Sequence, residues 1–286
     1  MRILVFGGGG MAGHVIRQYL AQQTEYEVWS TIRGQSTEHH LVALDVTDEV
    51  SVISVLKMLR PVVVINAVGL LNQYAEQNRT KAIYVNGLFP HILAQYGKHL
   101  GYRLIHISTD CVFSGNRGNY TEQDIADGTT VYAKTKWLGE IDDQQNLTIR
   151  TSIIGPELKL GGIGLFHWFM QQTGEIRGYR QVFWNGVTTL ELAKAIEWAL
   201  NHPIAGLAHL AAPEKLSKYA LLNHLKDVFA IDDVFIHPFD GIQSDKSLVN
   251  TRQDFSYQVS PYTEMLADLK VWMKLQRSGS YPYKYV

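Results

Sequence analysis

Arg2-Ile-Leu-Val-Phe-Gly-Gly-Gly-Gly-Met-Ala-Gly13 is the stretch that decides how this chain folds. Arg2 to Phe6 is an apolar run closed by glycine, the pattern of a strand buried on both faces. Gly7, Gly10 and Gly13 then recur at three-residue spacing. Beyond the turn Ala12, Val15, Ile16, Tyr19 and Leu20 fall on one stripe of a helix. Strand, glycine turn and helix in that order make a cradle for a pyrophosphate. Gly7 permits the tight turn, Gly10 lets the backbone approach the phosphates, and Gly13 lets helix pack on strand. The helix N-terminus faces the negative charge. His14 reads as a helix residue near the ligand, structural rather than catalytic.

Outward from that turn, strands and helices alternate. A second strand, Glu27 to Ile32, runs into Arg33, with no acidic residue for a ribose hydroxyl. Arg33 either meets a 2′-phosphate, which favours NADPH, or is an ordinary surface cation. Val42-Ala-Leu-Asp45-Val46 is a short third strand leading to a Thr47-Asp48 cap. The helix after it, Ser51 to Leu59, turns Val52, Val55, Leu56 and Leu59 inward. Strand four, Val62 to Asn66, continues into Ala67-Val-Gly69. A helix follows over roughly 80–100 and holds Asn86 in its middle, where Asn has no intrinsic reason to be. Strand five, Arg103 to Ile107, ends in Ser108-Thr109-Asp110, and Leu147 to Ile154 reads as strand six. Such βα units predict an α/β Rossmann fold, a doubly wound parallel sheet with its ligand at the carboxyl ends of the strands.

Past Gly155-Pro156 the pattern changes. Gly161-Gly-Ile-Gly164 reads as a hinge and Phe166-His-Trp-Phe169 as an aromatic run, more often core than ligand-stacking. A helix after Thr188, a strand over Leu207 to Ala211, a helix over Ser217 to Phe229, a strand over Val234 to Pro238 and a helix over Tyr262 to Leu275 suggest a smaller mixed α/β C-terminal domain closing over the sheet. The expected division is residues 1–155 for the dinucleotide and mainly 156–286 for a substrate, with about 180–205 returning to the Rossmann core. The tail, Arg277 to Val286, carries no readable structure.

The chemistry-bearing stretch is Thr129-Thr-Val-Tyr-Ala-Lys-Thr-Lys136. Thr129 and Thr130 are candidate caps. Tyr132 and Lys136 stand four residues apart, one turn along a single helix face. An ammonium beside a phenol favours the phenolate and lowers its pKa toward working pH, a device for proton transfer. Gly115 to Gly128, polar and glycine-rich, reads as a loop over the site.

Composition narrows the function classes. A chain of 286 residues with 46% hydrophobic and 19% charged residues is ordinary for a globular protein. A net charge of −1 gives no footprint for nucleic acid or a membrane surface. One cysteine, Cys111, permits no internal disulfide and fits a reducing, cytoplasmic setting. No CxxC or HExxH signals a metal. Met1 to Phe6 runs straight into the first strand, so no secretory leader is expected.

Taken together, the glycine turn, Asn66-Ala-Val-Gly69, Ser108-Thr-Asp-Cys-Val-Phe113 and Tyr132-x-x-x-Lys136 resemble the extended short-chain dehydrogenase/reductases. The Ser-Thr-Asp-x-Val-Phe and Val-Tyr-Ala-Lys-Thr-Lys runs are similar to the dTDP-4-dehydrorhamnose reductase branch, well over residues 1–155 and more loosely beyond. The resemblance implies a soluble enzyme that spends NADPH or NADH to reduce the 4-keto group of a nucleotide-activated 4-keto-6-deoxyhexose, for deoxysugar and cell-surface polysaccharide synthesis. Thr109 would hydrogen-bond the substrate carbonyl, Tyr132 would be the general acid, and Lys136 would hold the nicotinamide ribose and tune Tyr132. Gly7, Gly10, Met11, Ala12 and Gly13 would carry the pyrophosphate. Arg33, Asp45 and Val46 would lie at the adenosine end, and Ala67, Val68 and Ser108 along the ribose and nicotinamide. Asn86, Asp110, Val112, Phe113 and Trp184 would face the substrate. A homodimer is the family default.

Two departures stand out. Related 4,6-dehydratases carry an acidic residue where this chain has Cys111, which argues against dehydration. The arginine that the branch places before its Asn-Ser-x-Leu-Asn-Thr segment is Gln243 or a nearby polar residue here. Two other readings remain open: a nucleotide-sugar 4-epimerase with tightly held NAD, and a non-catalytic dinucleotide-binding regulatory subunit such as that of methionine adenosyltransferase.

Overall fold

A computed structural model of the chain describes residues 1–276 and 281–285. Strands β1 (Arg2–Phe6), β2 (Glu27–Ile32), β3 (Leu41–Ala43), β4 (Val63–Asn66), β5 (Arg103–Thr109) and β6 (Leu147–Thr151) join one sheet with an edge strand, Gly206–Leu210. The order is edge strand, β6, β5, β4, β1, β2, β3, and every pairing is parallel. The chain crosses from the β1–β2–β3 side to the β4–β5–β6 side beside β1, so a crevice opens at the carboxyl ends there. The expected fold is therefore present. One strand differs: the segment near Leu207 to Ala211 is not part of a separate small sheet but extends the central one beyond β6.

Both faces of the sheet are covered, which is why its strands read as continuous apolar runs. Ile3 and Val5 pack on the side of helix α1 (Met11–Leu20) and the helix Thr189–Leu200. Leu4 and Phe6 alternate to the other side, against helix α2 (Glu49–Leu59) and the long helix of residues 79–100. The remaining strands lie outside that sheet. Gly174–Tyr179 pairs in parallel with Val234–Phe239, and Val182–Trp184 lies between Leu216–Ser217 and Ser244–Asp245. Helix Lys218–Phe229 packs on these strands with Leu221 and Leu225 buried, and helix Tyr262–Leu275 packs on that helix in turn with Leu266 and Leu269 buried. Among the described residues no helix is long and apolar enough to cross a membrane. The expectation for the tail concerns residues 277–286, of which 277–280 and 286 lie outside the described residues. Tyr281 and Tyr283 inside it are engaged by His14 and by Glu157 and His167.

Candidate active site

A glycine turn opens the cleft. Gly7 sits at a φ of 89°, in the left-handed region where a side chain is strained. Gly10 closes the turn with its N–H on the Gly7 carbonyl at 2.9 Å. At Gly13 a Cβ would stand 2.2 Å from the Gly7 oxygen, so this glycine serves helix-to-strand packing and does not line the cleft. Gly10 precedes α1 without a side-chain cap, which leaves the first amides of α1 available to an anion. His14 points the other way. It is buried, gives its Nδ1 hydrogen to the Gly10 carbonyl at 2.8 Å, and burial pushes its pKa down to about 4.

The cleft continues along the strand ends as two joined cavities of about 560 and 460 Å³. They share Gly9, Gly10, Arg33, Ala67, Val68 and Lys159. Met11, Ala12, Ser108, Thr109, Asp110, Tyr132 and Lys136 line the larger one. Gly7, Asp45 and Val46 line the smaller. A groove with a glycine cradle in the middle, cations at Arg33 and Lys159, and a phenol–ammonium pair at its far end fits a dinucleotide phosphate.

At that far end the local structure follows from capping and close packing. Thr130, not Thr129, caps the helix Val131–Leu138 by accepting the Ala133 N–H at 3.1 Å. Gly128 and Gly139 bring the helix into contact, for a Cβ at Gly139 would meet the Asn86 oxygen at 2.0 Å. The Tyr132 phenol is thereby fixed beside Thr109 and Cys111. Thr109 Oγ1 accepts the Cys111 N–H at 3.1 Å and donates to Asp110 at 3.2 Å.

The expected acidification of Tyr132 by Lys136 is not what the side chains show. Burial pushes the phenol pKa up, only the Thr109 hydroxyl pulls it down, and Lys136 has no part in the shift. The Lys136 ammonium is held one turn deeper, 2.7 Å from the Ile107 carbonyl and 3.3 Å from His106 Nε2. Burial lowers its pKa to about 8, against the pull of Glu140. Tyr132 is thus a phenol that keeps its proton until a stronger base faces it. Cys111 is half-buried on the cleft wall, and its desolvated thiol is pushed up to about 11.

Four residues expected at the substrate lie elsewhere. Asn86 is fully buried in a π-turn, Ile83–Leu88, of the long helix. Its Oδ1 accepts the Leu70 N–H at 2.8 Å, while its Nδ2 donates to the Leu70 carbonyl and to Thr135 Oγ1. The whole amide is spent bracing the 69–71 loop and the Tyr132 helix, which is the reason for an Asn there. Val112 and Phe113 form a small core with Tyr120 and Leu248, Phe113 stacked on Tyr120 at 4.1 Å. Trp184 is buried against Tyr262. The glycine-rich 115–128 segment is pinned outside the cleft: Tyr120 bridges Leu248, and a Cβ at Gly118 would meet the Asp245 carboxylate at 2.3 Å. The Gly161–Gly164 hinge, by contrast, lines the cleft and is tied by the Gly164 N–H to Glu157 at 2.7 Å.

Sequence reasoning missed other groups. Ser108 gives its hydroxyl to Glu140 at 2.6 Å, and Glu140 forms a buried pair with Arg150 of β6 at 2.6 Å. Nothing in a lone Arg inside an apolar strand identifies that partner. Lys218, at the first turn of its helix, lies over the Trp184 ring at 4.9 Å, near Asp110 and Cys111, and burial lowers its pKa to about 8.

Residues 1–247 match the family model described as the RmlD substrate binding domain. The chain belongs to that family. Similar proteins include a dTDP-4-keto-6-deoxy-D-glucose reductase of Streptomyces niveus, 29% identical over 83% of this chain and 82% of its own. A dTDP-4-dehydrorhamnose reductase of Salmonella typhimurium is 30% identical over 74% and 73%. The spore coat polysaccharide biosynthesis protein SpsK of Bacillus subtilis is 26% identical over 73% of each. Among solved structures, a hypothetical dTDP-4-dehydrorhamnose reductase of Sulfolobus tokodaii aligns with a TM-score of 0.74 at 26% identity, covering 87% of this chain and 92% of that one. A Bacillus anthracis dTDP-4-dehydrorhamnose reductase in complex with NADP aligns at 0.81 and 20% identity, covering 95% and 99%. This last likeness is one of fold.

Proposed function

We propose that this RmlD-family chain is an NADPH-dependent reductase of the 4-keto group of a nucleotide-activated 4-keto-6-deoxyhexose, supplying a deoxysugar for a polysaccharide. One observation carries the reading: a proton-retaining phenol and a hydroxyl, Tyr132 and Thr109, share the wall of the cleft that runs back to the glycine turn. NADPH, when bound, supplies the hydride. The residues of the chain manage the charge that the substrate oxygen gains. Thr109 turns its hydroxyl from Asp110 to that oxygen, and Tyr132 donates its proton as the oxygen becomes basic enough to take it. Lys136 orients the ribose, Arg33 and Lys159 meet a 2′-phosphate, and Lys218 meets the diphosphate of the nucleotide sugar.

Residues 1–155 form the dinucleotide unit in this proposal and 156–286 mainly the substrate unit. A homodimer through the helices that expose Ile83, Leu88, Trp137 and Leu138 completes it, and sedimentation tests that part. The central test is a panel of nucleotide 4-keto-6-deoxy sugars followed by nicotinamide absorbance. One NADPH consumed per sugar reduced supports the reductase. Tightly retained NAD with no net consumption means a 4-epimerase instead. A regulatory role has a specific motive, because the methionine adenosyltransferase 2 subunit beta of Bos taurus is 24% identical over 83% of this chain. A stable heteromeric partner and no turnover of any sugar would favour that role.

A further inference from the structure

Strand β5 carries a histidine for which the reaction above has no use. His106 is wholly buried between β4 and the Tyr132 helix. Its Nδ1 lies 3.2 Å from Asn66 Nδ2, and its Nε2 lies 3.3 Å from Lys136 Nζ. Burial, with Lys136 and His91 acting in the same sense, keeps the ring neutral. A neutral imidazole has one hydrogen and one lone pair, so the tautomer decides what Lys136 meets.

Asn66 decides the tautomer. Its Oδ1 accepts the Val68 N–H at 3.1 Å, and turning the amide would leave that backbone donor without its partner. Its NH₂ therefore faces Nδ1, which must accept. The ring hydrogen then sits on Nε2 and points at Lys136. An ammonium has three hydrogens and no lone pair, whereas the neutral amine has a lone pair to receive Nε2–H.

We infer that His106, held as the Nε2–H tautomer by Asn66, is a positioning residue that favours the amine form of Lys136 and so sets how readily that side chain gives up a proton. Among the described residues the titratable groups facing the pair include Glu140, Tyr132 and His91. Glu140, just past the end of the helix, favours the ammonium but is engaged by Arg150 and Ser108. Tyr132 lies one turn back, and His91 approaches from the long helix. For its effect on turnover the inference rests on the reductase reading. The tautomer and the Lys136 titration do not.

Both are read on the full chain by NMR. With ¹⁵N-labelled histidine, the His106 signal is the one missing in His106→Gln. It is expected as Nε2–H and to stay unprotonated well below the usual imidazole range. With ¹³C-labelled lysine, Lys136 is expected to titrate a unit or more higher in His106→Gln, whose amide oxygen accepts from the ammonium. Asn66→Asp is the second variant. One carboxylate oxygen keeps the Val68 N–H and the other accepts from Nδ1–H, so the hydrogen moves off Nε2 and Lys136 titrates higher again. In an active enzyme the kcat limb near pH 8 follows the same shifts while KM for the sugar holds. An Nδ1–H tautomer in the unmodified chain, or a Lys136 titration that neither variant moves, overturns the inference. Failure of every sugar substrate alongside the expected NMR shifts would instead remove the reductase reading and leave this one standing.

Discussion

At Tyr132 the side chain's surroundings argue for a donor, not a base. Burial raises the phenol pKa and the neighbouring Thr109 hydroxyl is the group that relieves it. Tyr132→Phe removes the donor and little volume, so turnover should fall by about 10²–10⁴-fold, the usual worth of a positioned acid, while NADPH still binds. Stopped-time assays with a parallel fluorescence titration of the cofactor check both halves, and a variant with near-normal kcat would take Tyr132 out of the mechanism. At the opposite end of the cleft Arg33 is solvent-exposed with its guanidinium beside Asp45. Arg33→Ala should weaken NADPH more than NADH; equal losses would mean that Arg33 does not read the 2′-phosphate. Lys218 is a charge that its place over Trp184 keeps out of bulk water. Lys218→Met should raise KM for the nucleotide sugar about tenfold or more, the size of one charge-assisted hydrogen bond, with cofactor affinity unmoved. A change in cofactor affinity alone would put Lys218 on the wrong side of the reaction.

At the scale of elements, the helix Val131–Leu138 is held from both ends. Thr130 caps its start, and just past its end Glu140 is paired with Arg150 of β6, both nearly inaccessible to water. Breaking such a pair leaves a buried charge alone, so Arg150→Leu should destabilise the chain by about 3–5 kcal/mol, and Glu140→Leu added to it should recover much of that loss. Denaturant unfolding of the single and double variants tests this; equal stability of the single variant and the unmodified chain would make the pair incidental. These elements also mark how far the sequence could be read. β1, the glycine turn and α1 were legible because local rules suffice: an apolar run, three glycines and one helical stripe. The Tyr132 helix was legible from its cap and its four-residue spacing. The π-turn at Asn86 was not, because its cause is a hydrogen bond to Leu70 across sixteen residues. Neither was the placement of Gly206–Leu210 beside β6, nor of Phe113 and Trp184 away from the cleft. Apolar and aromatic residues look alike in sequence whether they line a cavity or fill a core.

For the molecule as a whole, the buried histidines predict acid lability. His14 is neutral in the folded chain, with its pKa lowered from 6.5 to about 4 by burial, and His209 is likewise lowered to about 4, there against the pull of Glu122. The unfolded chain takes up these protons near pH 6.5 and the folded chain does not until about pH 4. Between those values the unfolded state binds more protons, so stability falls as the pH falls through the window and stops falling on this account below it. One pKa unit is worth about 1.4 kcal/mol, so His14 by itself removes roughly 3 kcal/mol across the window. That is a large share of the stability of an ordinary domain. Melting temperature measured from pH 7 down to pH 4.5 should therefore drop steadily below about 6.5, well above the range where the carboxylates begin to titrate. His14→Gln should make the slope shallower, since glutamine can still donate to the Gly10 carbonyl and takes up no proton. A melting temperature that stays level to pH 5, or a variant whose slope matches the unmodified chain, would show that His14 is protonated in the fold without cost. The helix behind the glycine turn would then be far more open to water than its burial indicates.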